Sequence, residues 1–352
     1  MRVDDFDYPL PEELIADRPP QNRADSRLML VNREKSTIEH HSFRDLPRLL
    51  QAGDVLVFNH SRVIPARLFG TKRGGGARIE ILLLEEKGDH CWEALAQRAI
   101  RLNPGTCIDF TDGDCCHVAE ILGEGRFILR FSFQGTWLDF LNRVGSVPIP
   151  PYILKQREKL PAEEQRALAE IDRERYQTEF AEIPGSAAAP TAGLHFDQPL
   201  LAELRTQGLQ LASVVLHVGL DTFSPVVVEQ VEDHKMKSEW CYCPGETAQL
   251  IEETSRRNAS RVIAVGTTSC RALEACARLE WPADPIRTAL FIKPGDPFLV
   301  TEGLLTNFHL PKSTLLMLVS AFMGNDLRKR AYEAAVKEKY RFYSYGDAML
   351  II

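Results

Sequence analysis

Arg261-Val262-Ile263-Ala264-Val265-Gly266-Thr267-Thr268-Ser269 passes from a short apolar stretch through one glycine into a hydroxyl-rich segment, and a helical pattern from Thr268 to Leu279 follows it. A buried strand, a tight turn and a helix start form the unit from which layered α/β sheets are built. The helix start also has chemical meaning. Its first backbone N–H groups have no partner within the helix, and they join the helix dipole in favouring an anion such as a carboxylate or phosphate. The stretch is neither the dinucleotide fingerprint, which needs more glycines, nor a Walker-type loop, which needs a lysine. Thr267 and Thr268 can equally serve as helix caps, so the motif alone leaves both readings open.

Working outward, further strand-like runs at Leu28 to Asn32, Val55 to Phe58, Leu209 to Val218 and Thr288 to Ile292 are interleaved with helical patterns at Lys155 to Arg175 and Pro199 to Arg205. That alternation predicts a layered α/β domain. Between Pro65 and Pro148 the texture changes to β-type runs such as Ile79 to Leu84, Cys91 to Leu95, His117 to Leu122 and Arg126 to Phe131, separated by Gly74-Gly75-Gly76, Asp112-Gly113-Asp114 and Gly123-Glu124-Gly125. Regularly spaced short strands with glycine turns predict a small antiparallel barrel. The expected organisation is therefore a discontinuous α/β domain over 1–65 and 149–352, with an inserted β-barrel domain over 66–148.

Composition sets the class. The 352 residues are 44% hydrophobic and 26% charged, the balance of a globular chain with a sizeable core. The longest apolar run, Leu315 to Met323, is about half the roughly 18 residues that suggest a membrane span, and it reads as a buried helix. The acidic N-terminal sequence has no signal-peptide character, so a cytoplasmic protein with free thiols is expected from its eight cysteines. Cys115-Cys116-His117 and Cys241-Tyr242-Cys243 lack Cys-x-x-Cys spacing, and no metal is expected. A net charge of −7 excludes a nonspecific nucleic-acid coat. It leaves room for a local basic patch. Arg62, Arg67, Lys72, Arg73 and Arg78 follow one another with no acid between them, as a solvated edge or as a phosphate-binding surface.

Three more segments carry candidate chemistry. Pro190-Thr191-Ala192-Gly193-Leu194-His195-Phe196 puts an imidazole at the end of a small-residue loop, or a simple cap on the next helix. Val214-Val215-Leu216-His217-Val218-Gly219-Leu220-Asp221-Thr222-Phe223 places His217 and Asp221 at a strand's carboxyl end, where open α/β sheets bind ligands, although a core histidine fits as well. Thr306-Asn307-Phe308-His309-Leu310-Pro311-Lys312-Ser313-Thr314 leads polar residues into an apolar helix, and Phe308 or Phe223 is suited to stacking on a nucleobase or to packing.

Together with Asp5-Phe6-Asp7-Tyr8-Pro9-Leu10-Pro11, Ser26-Arg27-Leu28, Asn59-His60-Ser61-Arg62-Val63-Ile64-Pro65-Ala66-Arg67-Leu68 and Tyr345-Gly346-Asp347-Ala348-Met349-Leu350-Ile351, these segments closely resemble the tRNA ribosyltransferase-isomerase family of queuosine synthesis. The resemblance spans nearly the whole chain. It departs from the family pattern at Asp221, where a glycine is usual, at Lys237, where a histidine is usual, and at Cys270. It implies an α/β domain interrupted by a β-barrel, and a monomer that uses S-adenosylmethionine as co-substrate and tRNA as partner, with no metal or redox group. The implied reaction moves the ribosyl carbons of S-adenosylmethionine onto 7-aminomethyl-7-deazaguanine at the wobble position. The product is epoxyqueuosine-tRNA, and adenine and methionine leave. Removing a proton beside the sulfonium requires a base, for which His195, His217 and His309 are the candidates, in that order. Gly266, Thr267, Thr268 and Arg271 are the candidates for the methionyl carboxylate, with Thr191, Gly193 and Phe308 completing the co-substrate site. Arg62, Arg67, Lys72 and Arg73 are the candidates for tRNA phosphates.

Overall fold

The computed structural model describes residues 1–97, 102–219, 226–257 and 260–352. In chain order its first strands are β1 (Arg27–Asn32), β2 (Thr37–Ser42), β3 (Val55–Asn59), β4 (Ser61–Val63), β5 (Arg67–Lys72) and β6 (Arg78–Gly88). Next come β7 (Cys91–Gln97), β8 (Cys107–Asp109), β9 (Cys115–Gly123), β10 (Arg126–Ser132), β11 (Gly145–Ser146) and β12 (Ile183–Ser186). The last are β13 (Gln210–Leu216), β14 (Glu239–Tyr242), β15 (Val262–Val265), β16 (Ile286–Thr288), β17 (Gly303–Asn307) and β18 (Ala348–Ile351). Two compact units result. One comprises Met1–Arg62, Pro150–Pro184 and Ala189–Ile352, and the other Val63–Ile149 with Gly185–Ala188.

The larger unit is built on a mixed nine-stranded sheet in the order β16-β14-β13-β3-β15-β17-β18-β1-β2. β13, β3, β15 and β17 run parallel to one another, so their carboxyl ends share one edge. Every residue of β3, β15, β17 and β18 is buried, as expected of strands covered on both faces. On one face the alternate residues Leu28, Leu30, Leu56, Phe58, Ile263, Val265, Leu305 and Leu350 pack with Leu200, Leu201 and Leu204 of the helix Gln198–Thr206. The helix Thr267–Arg278 has its first ten residues buried. Its Glu274 is fully buried and its carboxylate accepts from the backbone N–H groups of Leu299, Val300 and Thr301, which compensates the loss of water.

Two sequence expectations shift. The strand expected at Thr288 to Ile292 is Ile286–Thr288, because its partner β14 reaches no further than Glu239 opposite Thr288. The helical pattern from Lys155 to Arg175 divides into Pro151–Arg157 and Ala162–Arg175, with Pro161 as the N-cap of the second helix.

In the smaller unit β5-β6-β7-β10-β9-β8 form an antiparallel sheet that closes through pairing of β5 with β8, and β11 adds to β5. Leu68, Ile79, Ile81, Ala94, Ile108, Cys116, Val118 and Leu129 fill its interior with Phe140 and Leu141 from the helix Trp137–Val144. Closure is tight at Gly70, where a Cβ would lie 2.4 Å from Ile108 Cγ2. No helix among the described residues is long and apolar enough to cross a membrane.

Candidate active site

The carboxyl ends of the parallel strands lead directly into a cavity. β15 ends at Val265, and Gly266 then turns the chain at φ +96° into the helix Thr267–Arg278, whose N-cap supplies no side-chain hydrogen bond. Glycine suits that turn because an L side chain is strained at such a φ. β17 ends at Asn307 and hands on to Phe308 and His309. With Thr191, Tyr152 and Tyr343 these residues line a single open-mouthed cavity.

Buried hydrogen bonds fix the walls. The Asn59 amide donates to the Leu216 carbonyl at 2.9 Å and to Thr268 Oγ1 at 3.3 Å, tying the ends of β3 and β13 to the helix start. Thr191 Oγ1 donates to Asn307 Oδ1 at 2.9 Å, and Asn307 Nδ2 stands 3.0 Å from His195 Nε2. Tyr152 and Tyr343 bring their rings to 4.2 Å, and Tyr343 adopts φ +74°, a costly conformation for an aromatic residue.

The three candidate histidines occupy different settings. His309 lines the cavity. Its backbone N–H donates to Tyr332 Oη at 3.1 Å, and its carbonyl accepts from Tyr8 Oη at 2.5 Å, so the main chain is held on both sides. Its Nε2 lies 3.2 Å from Thr306 Oγ1, whereas its buried Nδ1 has no hydrogen-bond partner among the described residues. Burial pushes its pKa down to about 3, which keeps the ring neutral near neutral pH.

His195 does not line the cavity. Both of its ring nitrogens are engaged, Nδ1 with Ser26 Oγ at 2.8 Å and Nε2 with Asn307. Burial, with the positive Arg341 and Arg23 nearby, pushes it down to about 3. His217 also stands outside the lining; it stacks on Trp240 with centroids 4.8 Å apart, and its Nδ1 meets Ser61 Oγ at 2.7 Å. Burial lowers it to about 4.

The co-substrate candidates divide in the same way. Thr191, Gly266, Thr267, Thr268 and Phe308 line the cavity. Gly193 does not; a Cβ there would meet Phe180 Cζ at 2.7 Å and Thr178 Cγ2 at 2.9 Å, so its smallness serves packing. Arg271 is buried away from the lining, with Nη1 2.5 Å from Glu239 Oε2 and Nε donating to the Leu290 carbonyl. Its charge is already balanced. Asn307, Tyr152 and Tyr343 are wall residues that sequence reasoning did not single out. Tyr152 lies in the helix Pro151–Arg157 and Tyr343 before the last strand, and neither position carries a motif.

The basic run is less free than its sequence suggests. Arg67 is half-buried with Nε 2.6 Å from Glu80 Oε1, and Arg73 Nη2 is 2.5 Å from Asp109 Oδ1. The acids missing between the basic residues arrive from β6 and β8. Arg62 is exposed on β4, with no charged partner among the described residues, while Lys72 is half-buried. Lys237 is exposed. Asp221 and Phe223 lie outside the described residues.

Comparison with known proteins gives a consistent picture. A family model described as a queuosine biosynthesis protein matches residues 3–351. The chain is 47% identical to an S-adenosylmethionine:tRNA ribosyltransferase-isomerase of Desulfitobacterium hafniense and 49% identical to one of Thermosipho africanus, in each case over all of both chains. Its fold matches the crystal structure of an S-adenosylmethionine tRNA ribosyltransferase from Thermotoga maritima with a TM-score of 0.54 at 36% identity, covering 99% of this chain and 100% of the other.

Proposed function

This chain belongs to the queuosine biosynthesis protein family as a tRNA ribosyltransferase-isomerase, and from that premise we propose that the cavity at the ends of β15 and β17 takes S-adenosylmethionine as the ribosyl donor. The acceptor in this reading is the aminomethyl group of 7-aminomethyl-7-deazaguanine at the tRNA wobble position. The products are epoxyqueuosine-tRNA, adenine and methionine. S-adenosylmethionine supplies a sulfonium, which acidifies the neighbouring C–H and makes methionine a leaving group.

The chain's own residues account for the rest. The uncapped helix start at Gly266, Thr267 and Thr268 offers N–H groups and a positive dipole end to the methionyl carboxylate. This reading does not need Arg271. Phe308 and Tyr343 contribute apolar wall to the cavity, where adenine would lie. The single observation that carries the reading is His309: a neutral, cavity-lining imidazole with one buried nitrogen unpartnered and its backbone pinned by two tyrosines. We assign it the proton transfer, ahead of His195 and His217, whose contacts give them positioning roles. His195 holds Asn307, and Asn307 holds Thr191 at the cavity wall.

His309→Ala should bind S-adenosylmethionine normally by calorimetry and release adenine about 10²–10⁴-fold more slowly, the usual range for a lost acid or base. Near-normal adenine release by a folded His309→Ala protein would move the role to another residue.

A further inference from the structure

The outer face of the barrel carries a side-chain cluster that the reaction does not use. β8 and β9 pair antiparallel, with Cys107 opposite His117 and Asp109 opposite Cys115. Side chains alternate along a strand, so these four residues share one face, while Ile108 and Cys116 point into the barrel and are fully buried. The Cys107 and Cys115 sulfurs and a His117 ring nitrogen lie within 4.8 Å of one another. Cys107 Sγ stands 3.7 Å from Asp109 Oδ1.

Zinc–sulfur bonds of about 2.3 Å and zinc–nitrogen bonds of about 2.0 Å put the donors of a tetrahedral site roughly 3.5–3.8 Å apart. Side-chain rotations of about an ångström reach that spacing from the one seen. We propose that Cys107, Cys115 and His117 form a binding site for a thiophilic divalent cation, Zn2+, with its fourth position facing Asp109. Two thiolates and a neutral imidazole then hold the ion with no net charge, and the two thiol protons pass to solvent. Thiols bind such an ion as thiolates, so metal binding releases their protons and affinity falls as pH drops.

The location gives the ion a structural task. β8 is three residues long and closes the barrel onto β5 through Thr71 opposite Asp109 and Lys72 opposite Ile108. A metal bridging β8 to β9 anchors that short strand. The pair Cys241 and Cys276, 3.8 Å apart and buried, has no imidazole in a comparable group among the described residues and serves as the contrast.

The test uses the full chain, purified under a reducing agent, depleted with a chelator and reconstituted with Zn2+ or Co2+ alone. The expected result is about one zinc per chain by elemental mass spectrometry, with a tetrahedral cobalt spectrum showing thiolate-to-metal charge transfer. Cys107→Ser and His117→Gln should lose both signals, and Cys243→Ser should keep them. Chelation should lower the Tm of the parent and leave that of Cys107→Ser unchanged. Less than about a tenth of an equivalent after reconstitution, undiminished zinc in Cys107→Ser, or a Cys107–Cys115 disulfide persisting in the reduced protein would each overturn the assignment.

Discussion

At the scale of single residues, burial decides what each histidine can do. His195 and His309 are both held neutral far below their ordinary range. An unfolded chain binds a proton at each of these sites below about pH 6.5. Between that value and about 3 the unfolded state therefore holds more protons than the folded one, and stability falls as the solution is acidified through that window. His195→Gln should lower stability at pH 7 and make Tm less steeply dependent on pH below 6.5; an unchanged slope would mean that His195 takes up a proton in the folded state. Gly266 is a second residue-scale case. A Cβ there meets only ordinary contacts, 3.6 Å from Ala192 Cβ and Thr268 Oγ1, so the penalty comes from φ rather than crowding. Gly266→Val should cost about 1–3 kcal/mol of stability and weaken S-adenosylmethionine binding, with tRNA binding kept; calorimetry showing parental affinity in the folded variant would remove the helix start from the carboxylate site. Sequence placed His195, His217 and His309 near strand ends and loops. It ranked them in that order; the contacts that distinguish them come from Ser26, Asn307 and Ser61, which reach them from distant parts of the chain.

At the scale of elements, apolar runs with a distinct terminator were legible and edge or late strands were not. Val262–Val265 and the helix behind it follow from Gly266 and the β-branched run before it. β18, buried between β17 and β1, is only four residues at the end of the chain, Ala348–Ile351, and its sequence does not distinguish a strand from a helical turn. The same limit hid the acids that face the basic run. Arg67 and Arg73 are already neutralised by Glu80 and Asp109, whereas Arg62 is exposed. Arg62→Ala should therefore weaken tRNA binding and reduce the magnitude of the salt slope by about one, and Arg67→Ala should change the slope less. Equal slopes for the parent and Arg62→Ala would take this strand out of the tRNA contact. The barrel cysteines follow the same rule, since Cys115-Cys116-His117 shows no ligand spacing until β8 brings Cys107 alongside.

At the scale of the whole molecule, composition and the change of texture between Pro65 and Pro148 pointed to an α/β fold with an inserted β-barrel, and both architectures are present. The parallel strands gather a helix start, an imidazole and apolar wall residues at one sheet edge, which suits a sulfonium nucleoside carrying a carboxylate. The most direct test of this account follows the ribose. The chain is incubated with tRNA bearing 7-aminomethyl-7-deazaguanine and S-adenosylmethionine labelled with carbon-13 in its ribose or, separately, in its methyl group, and the digested nucleosides are weighed by mass spectrometry. The account predicts that the ribose label enters the modified base, that the methyl label does not, and that adenine and methionine appear in equal amounts with the product. Entry of the methyl label, or a modified base without ribose carbons, would contradict it.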